Sequence, residues 1–179
     1  MNTELNGKVV LVTGGAGGIG SVISKSFAEQ GAKVIVHYNS SKDNAEKIAK
    51  EIGGVSMNAD LTDSAQSKEL FNNIIEKEGK IDVCVANAGN YPKEFAPLWE
   101  IESDRWENTV STNLSLTYNT AREFLKHASE TKKGSLVLIG STAGIYGEAG
   151  HADYAAAKGA ITSGSVSYTH LTLPTTPYV

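Results

Sequence analysis

A short apolar run that ends in a cluster of glycines and then resumes as a helix restricts this chain more than any other feature. Residues 8–12 (Lys-Val-Val-Leu-Val) form a β-branched run of the kind buried on both faces of a parallel sheet. The run ends in Thr13-Gly14-Gly15-Ala16-Gly17-Gly18-Ile19-Gly20. The spacing then predicts a helix with Ile19, Val22, Ile23 and Phe27 on one stripe and Gly31 as its stop. Glycines let the backbone turn tightly and approach a pyrophosphate, and the positive end of the following helix stabilises that anion. Strand, glycine-rich turn and helix together predict dinucleotide binding.

Strand and helix patterns alternate through the rest of the chain. Residues 33–38 read as a second strand, and its end is where an adenosine ribose should lie. An acidic residue there would take the ribose hydroxyls; none is present, and Asn39, Ser40, Ser41 and Lys42 can all donate to a 2′-phosphate. Ala45, Ile48, Ala49 and Ile52 give the next helix its stripe, closed by Gly53-Gly54. Residues 55–59 form a third strand that runs into Asp60-Leu61. Asp60 could bond an adenine amino group or begin the turn Thr62-Asp63-Ser64 that caps the next helix, whose buried face is Leu70, Phe71, Ile74 and Ile75. Residues 81–86 are a fourth strand leading to Asn87-Ala88-Gly89, small enough for close approach to a flat ligand.

After a loop over residues 91–98, Ser103-Asp104 is expected to cap one long helix. Its inner side would carry Trp106, Val110, Leu114, Thr117, Ala121, Leu125 and Ala128. Asn113 falls among them, and a buried amide must have its groups bonded, so it is expected to have a structural or catalytic task. Residues 135–139 are a fifth strand that delivers Ser141 at its carboxyl end. A glycine-rich loop, residues 144–150, then leads into a helix carrying Tyr154 and Lys158. The predicted class is α/β: a Rossmann-type, doubly wound parallel sheet with helices on both faces, incomplete at its C-terminal end. Ligands bind outside the carboxyl ends of such strands, so Gly14, Asp60, Asn87 and Ser141 are expected on one rim.

Composition excludes several alternatives. A chain of 179 residues suits one domain with a real core. A net charge of −4 leaves no basic footprint, so neither nucleic acid nor an anionic membrane is an expected partner. The single cysteine, Cys84, lies in an apolar strand and reads as a buried thiol; no metal site and no disulfide framework are expected. Residues 1–4 lead into no apolar signal stretch, and no apolar run spans a membrane, which makes the cytoplasm the default location.

Tyr154 and Lys158 stand four apart, hence on the same helix face one turn from each other. A phenol is ordinarily a poor proton donor near neutrality, and an ammonium one turn away favours the phenolate, readying the hydroxyl for proton transfer to or from an alcohol. Alone, Tyr-x-x-x-Lys is too short to decide anything. With Thr13-Gly14-x-x-x-Gly18-x-Gly20, Asn87-Ala88-Gly89, Asn113 and Ser141 in this order, the chain closely resembles the short-chain dehydrogenase/reductase family, over residues 6–163. Its compact single-domain branch fits, above all the 3-oxoacyl-acyl-carrier-protein reductases and their sugar- and steroid-dehydrogenase relatives.

The resemblance implies roles. Tyr154 would be the acid/base, and Lys158 would ready it and hold the nicotinamide ribose. Ser141 would bond the substrate carbonyl oxygen, and Asn113 would hold a water relaying protons to Lys158. Gly14, Gly18, Ile19 and Gly20 would cradle the pyrophosphate, Asn39 and Ser40 the adenosine ribose end, Asp60 and Leu61 the adenine, and Asn87, Ala88 and Gly89 the rest of the cofactor. NADP(H) is favoured by the lack of an acid after the second strand; no basic residue precedes Gly18, where many NADP-preferring relatives carry one, which keeps NAD(H) as the alternative. The substrate would be a small-molecule or acyl-carrier-bound carbonyl compound, and the full-length form a homotetramer or homodimer. The competing reading is a non-catalytic dinucleotide-binding protein or an inactive fragment.

The C-terminus departs from the family pattern. Beyond residue 161 the family calls for a long apolar helix and further strands, whereas residues 163–177 show no helical period and carry two prolines. Val166 to Thr175 resembles a translated transposase sequencing adapter. The expectation is a dinucleotide-binding domain over residues 1–164 and a non-native tail over 165–179, in which Tyr168 and His170 take no role. A sheet lacking its later strands would leave edge and face uncovered, so the chain as written is expected to be aggregation-prone with little turnover.

Overall fold

The computed structural model describes residues 3–164; the expected tail, with Tyr168 and His170, lies outside the described residues. Two compact units emerge. The first takes the described residues up to Gly89 together with Ser115–Ile139, and the second takes Asn90–Leu114 and residues 140–164.

The first unit is a sheet covered on both faces. Its strands are β1 (Val9–Val12), β2 (Lys33–Tyr38), β3 (Val55–Asn58), β4 (Val83–Ala86) and β5 (Ser135–Leu138), all parallel, in the order β3-β2-β1-β4-β5. Successive side chains of a strand point to opposite faces, so each central strand supplies both cores. Val9, Leu11, Ile35 and Cys84 face α3 (Ser64–Glu78) and α5 (Leu116–Thr131), packing on Leu70, Phe71, Ile74, Leu116 and Phe124. Val10, Val12, Val34, Val36 and Val85 face α1 (Gly18–Glu29) and α2 (Lys42–Ile52), meeting Ile23, Phe27, Ala45, Ile48 and Ala49. The strand order reverses between β1 and β4, the place where sheets of this class bind ligands. The expected parallel Rossmann-type sheet is the observed one.

Local chemistry sets most helix ends as expected. Gly53 and Gly79 take left-handed conformations at the ends of α2 and α3. Asp63 caps α3, accepting the Ala65 amide at 2.7 Å. The apolar stripe of α1 differs from expectation. Ile19 is 66% and Val22 64% exposed, while Gly20 and Ser24 are buried beside Ile23 and Phe27. The reason is proximity: a Cβ at Gly20 would collide with the Gly14 carbonyl oxygen, so α1 turns its small residues inward.

The second unit contains α4 (Ser103–Val110), α6 (Ala143–Tyr146) and α7 (Ala152–Gly164), with α7 packed against both others. The single long helix expected from Ser103 is instead α4, a π-helical turn at Ser111–Ser115, and α5. Its N-cap is Glu102 without a side-chain cap bond; Ser103 already lies inside, and Asp104 complements the dipole of the first turn. Trp106 is 38% exposed, and the buried members here are polar, Thr109 and Asn113, so a hydrophobic stripe could not locate this face. The glycine-rich loop contains the short helix α6, because Gly144 brings it onto the main chain of α7, where a Cβ would lie 2.5 Å from the Lys158 carbonyl carbon. Among the described residues no helix is long and apolar enough to cross a membrane.

Phe71 is enclosed on the α3 face of the sheet. Phe71→Ala is expected to remove about 3–5 kcal/mol of stability, read as a lowered midpoint in urea unfolding with the slope nearly unchanged.

Candidate active site

In the first unit, the ends of β1 and β4 are laced together through Thr13. Its Oγ1 accepts the amides of Asn87 and Ala88, both at 3.0 Å, and the Asn87 side-chain amide donates to the carbonyl oxygens of Thr13 (3.0 Å) and Gly14 (3.3 Å). Gly14 has a positive φ of 60°, and a Cβ there would lie 3.0 Å from the Ala88 Cα, so only glycine suits this crossing. The turn then opens. Nothing lies within 4 Å of a Cβ at Gly18, and the Gly17 N-cap of α1 offers no side-chain cap. The first amides of α1, at Gly18, Ile19 and Gly20, therefore have no intrahelical acceptor and suit an anion.

The second and third strand ends supply the remaining expected cofactor groups. Asn39 and Ser40 are exposed beyond β2, where Asn58 Nδ2 fixes the corner by donating to the carbonyls of Tyr38 (3.1 Å) and Asn39 (2.6 Å). Asp60 Oδ1 accepts both the amide (2.9 Å) and the hydroxyl (2.7 Å) of Thr62, so of its two readings the turn-forming one is displayed. The Leu61 side chain belongs to the core, and its carbonyl accepts Asn119 Nδ2 at 2.9 Å. Cys84 is buried in the core, and burial pushes its thiol well above the ordinary value, which makes it inert as a nucleophile.

The second unit holds all four residues of the expected catalytic set. Tyr154 and Lys158 lie one turn apart on α7, with the buried Lys158 Nζ 5.9 Å from the Tyr154 ring centroid. Burial draws the Lys158 ammonium below its ordinary value. Ser141 Oγ accepts the Ala143 amide at 3.2 Å, which leaves its hydroxyl hydrogen to donate elsewhere. Asn113 sits fully buried in the π-helical turn. Its Nδ2 donates to the carbonyls of Asn90 (2.8 Å) and Thr109 (3.0 Å), and its Oδ1 accepts the Asn90 amide (3.3 Å). Its structural task is thus to join the loop after β4 to α4.

Sequence reasoning missed the groups that hold Tyr154 in place. Asp153 is fully buried and bonded to Arg105 Nε (3.0 Å), Arg105 Nη2 (3.3 Å) and Thr109 Oγ1 (2.9 Å). Burial raises its carboxyl, but the bonds from Arg105, Thr109 and the Tyr154 amide outweigh that and leave it below the ordinary value. Tyr91 stands edge-on to Tyr154 at 5.0 Å, stacks on His151 at 4.6 Å, and donates to Glu148 at 2.7 Å. His151 bonds the Ala149 carbonyl through Nδ1, and its buried Nε2 meets no hydrogen-bond partner among the described residues. The proximity of an acid to Tyr154 in sequence was the only available signal, and no motif rule distinguishes a structural acid there. Among the described residues, no cluster of His, Cys, Asp and Glu could hold a metal ion.

Comparison with known proteins is consistent across this arrangement. The sequence model of the short chain dehydrogenase family matches residues 8–173. The chain is 35% identical over 163 residues to the 3-oxoacyl-acyl-carrier-protein reductase of Thermotoga maritima, an alignment covering 88% of this chain and 65% of that protein. It is 38% identical over 149 residues to the NADP-dependent mannitol dehydrogenase of Alternaria alternata, covering 79% and 55% respectively. Versicolorin reductase of Emericella nidulans is 34% identical over 166 residues, covering 89% and 61%. The chain spans between 55% and 66% of the length of such relatives.

Arg105→Ala would leave the Asp153 carboxylate buried without its cation. The expected loss is about 3–5 kcal/mol, checked by chemical unfolding at neutral pH. A second outcome concerns His37, which burial lowers from 6.5 to about 4. Between those values the unfolded chain binds the proton and the folded chain does not, so stability falls as pH falls through that window. The contribution is fully present above pH 6.5, and its loss amounts to about 3 kcal/mol near pH 4. Unfolding free energy measured against pH should show this slope in the natural chain and lose it in His37→Asn.

Proposed function

This chain belongs to the short chain dehydrogenase family, and we propose that it serves as an NAD(P)(H)-dependent oxidoreductase interconverting a carbonyl and a secondary alcohol. The observation that carries the proposal is the Tyr154–Lys158 pair, with its lysine buried against the tyrosine ring. A pure binding protein has no need of a buried ammonium one turn from a tyrosine. The residues present fit a dinucleotide. The turn at Gly14 and Gly20 excludes a Cβ, and the uncapped N-terminus of α1 offers amides to a pyrophosphate.

In this reading Gly14, Gly18, Ile19 and Gly20 hold the pyrophosphate, and Asn39 and Ser40 hold a 2′-phosphate, which favours NADP(H) over NAD(H). Asp60 and Leu61 take the adenine end through their turn, and Asn87, Ala88 and Gly89 line the site. A bound nicotinamide supplies or accepts the hydride at the reacting carbon. Tyr154 donates its phenolic proton to the carbonyl oxygen in the reductive direction and removes it in the oxidative one. Ser141, its Oγ already accepting from Ala143, donates its own hydrogen to the same oxygen and polarises it. Lys158 stabilises the phenolate that Tyr154 becomes, and its burial eases release of its own proton for the next turnover. Its further role as a ligand of the nicotinamide ribose rests on the family resemblance. Asn113 fixes the π-helical turn, where the proposed water relay to Lys158 would sit.

The substrate class proposed is a 3-oxoacyl group on an acyl carrier, supported by the name of the Thermotoga maritima relative. The Alternaria alternata and Emericella nidulans relatives are named as a mannitol dehydrogenase and a versicolorin reductase, so polyols and other ketones belong in the same assay. The complete protein is proposed to work as a homodimer or homotetramer in the cytoplasm.

Tyr154→Phe separates catalysis from binding. Turnover of any accepted carbonyl with NADPH is expected to fall at least about a hundredfold, while NADPH affinity stays within about twofold. Equal turnover by both proteins in steady-state assays would refute the assignment. Dinucleotide binding without reduction of any carbonyl by the natural chain would favour the non-catalytic reading.

A further inference from the structure

His37 is a buried titratable side chain that the chemistry above does not use. It sits in β2 next to Tyr38, and its two ring nitrogens reach two different strand ends. The Gly14 amide donates to Nδ1 at 3.1 Å, and Nε2 lies 3.0 Å from the Ala59 carbonyl oxygen. A main-chain amide can only donate and a carbonyl can only accept, so these two bonds admit one form of the ring. That form is neutral, with its hydrogen on Nε2 and a lone pair on Nδ1. Burial pulls the ring down to about 4, in keeping with a neutral imidazole at ordinary pH. The main chain of the same residue adds a third tie, since the Gly15 amide donates to the His37 carbonyl at 2.9 Å.

The three places joined are the ones expected to hold three parts of one ligand. Gly14 and Gly15 begin the glycine-rich turn. Ala59 immediately precedes Asp60 and Leu61, and the His37 backbone leads through Tyr38 to Asn39 and Ser40. Thr13 and Asn87 fasten the other side of the turn. The His37 bond to Gly14 is the side-chain contact that fixes the first glycine from the β2 side.

We propose that His37 is a positioning residue for dinucleotide binding: in a single neutral tautomer it fixes the glycine-rich turn against the adenosine-binding strand ends. The inference rests on the reading of the turn as a cofactor cradle. Its action is through Gly14 and Ala59 and not through contact with the dinucleotide. A turn held in its binding conformation before the ligand arrives loses less entropy on binding, so the bond to Nδ1 acts on affinity.

Substitutions can separate the two bonds, because an asparagine oxygen occupies the place of Nδ1 and a glutamine amide nitrogen reaches that of Nε2. His37→Asn keeps an acceptor for Gly14, whereas His37→Gln keeps only the donor to Ala59 and His37→Phe keeps neither. The experiment is NADPH and NADH titration of the full chain by nicotinamide fluorescence at pH 7.5, alongside thermal unfolding and displacement by adenosine 2′-phosphate, which has no pyrophosphate. Expected is a dissociation constant for the preferred dinucleotide weakened about tenfold in His37→Gln and His37→Phe, with His37→Asn within about threefold of the natural chain. Adenosine 2′-phosphate should bind His37→Gln and the natural chain alike. Equal dinucleotide affinity in His37→Gln and the natural chain overturns the inference. So does an affinity that merely follows the unfolding temperature across the three variants. If the natural chain binds neither dinucleotide, the functional reading itself falls and takes the inference with it. The tautomer offers a check that needs no variant to fold: long-range ¹⁵N–¹H correlation of the histidines must find His37 neutral and protonated at Nε2, and a charged or Nδ1-protonated ring refutes the role.

Discussion

Burial of the central strands on both faces is the constraint from which the first unit follows. A strand with water on neither side must be apolar at every position and must satisfy its amides and carbonyls within the sheet. β1 meets both demands between β2 and β4, with Val10, Leu11 and Val12 wholly enclosed. Because its neighbours run parallel, each strand must be followed by a crossover, and the helices so formed cover the two faces. The carboxyl ends of β1, β2, β3 and β4 then fall on one side, which gathers Gly14, Asn39, Asp60 and Asn87 without any of them touching in sequence. Thr13, Asn87 and His37 use side-chain hydrogen bonds to hold the irregular backbone that begins where the ladder stops.

The second unit is built on a different principle. Its buried positions mix polar side chains with apolar ones such as Ala157 and Ile161, and the dominant element is the Asp153 carboxylate, enclosed and met by Arg105 and Thr109. A buried ion pair contributes little net stability against an apolar alternative, but it permits few arrangements of its partners. Here it fixes α4 against the first turn of α7, and Tyr154 is the next residue along. Gly144 complements this by allowing α6 to lie on the α7 main chain at Lys158. Tyr154 and Lys158 are therefore held by contacts from both α4 and α6. Tyr91, stacked on His151 and edge-on to Tyr154, adds an aromatic wall drawn from the loop after β4.

Most of the first unit was legible because its physics is periodic. The runs around Val10, Val34, Val55, Cys84 and Leu136 are strands by composition, and Gly53, Asp63 and Gly79 end or begin helices by local backbone preference. The stripe of α1 was misread because Gly20 and Ser24 are buried for their size, which a search for large apolar residues overlooks. The helix after Ser103 was misread because its inward face is polar there and because a π-helical turn at Asn113 breaks the 3.6-residue period that the extrapolation assumed.

The sequence by itself determined the strand and helix order, the glycine-rich turn, and the one-turn spacing of Tyr154 and Lys158, since these depend on backbone preferences and on periods of two and 3.6 residues. Only the tertiary structure decided that Asp153 is an interior carboxylate held by Arg105 and that His37 joins the glycine-rich turn to Ala59. Those bonds cross 48 residues in one case and 22 or 23 in the others. A hydrogen bond between side chains and groups far apart in sequence has no period and leaves no pattern along the chain. Its donor and acceptor meet only after apolar burial has brought distant segments together, and only then does geometry fix which polar groups share a partner.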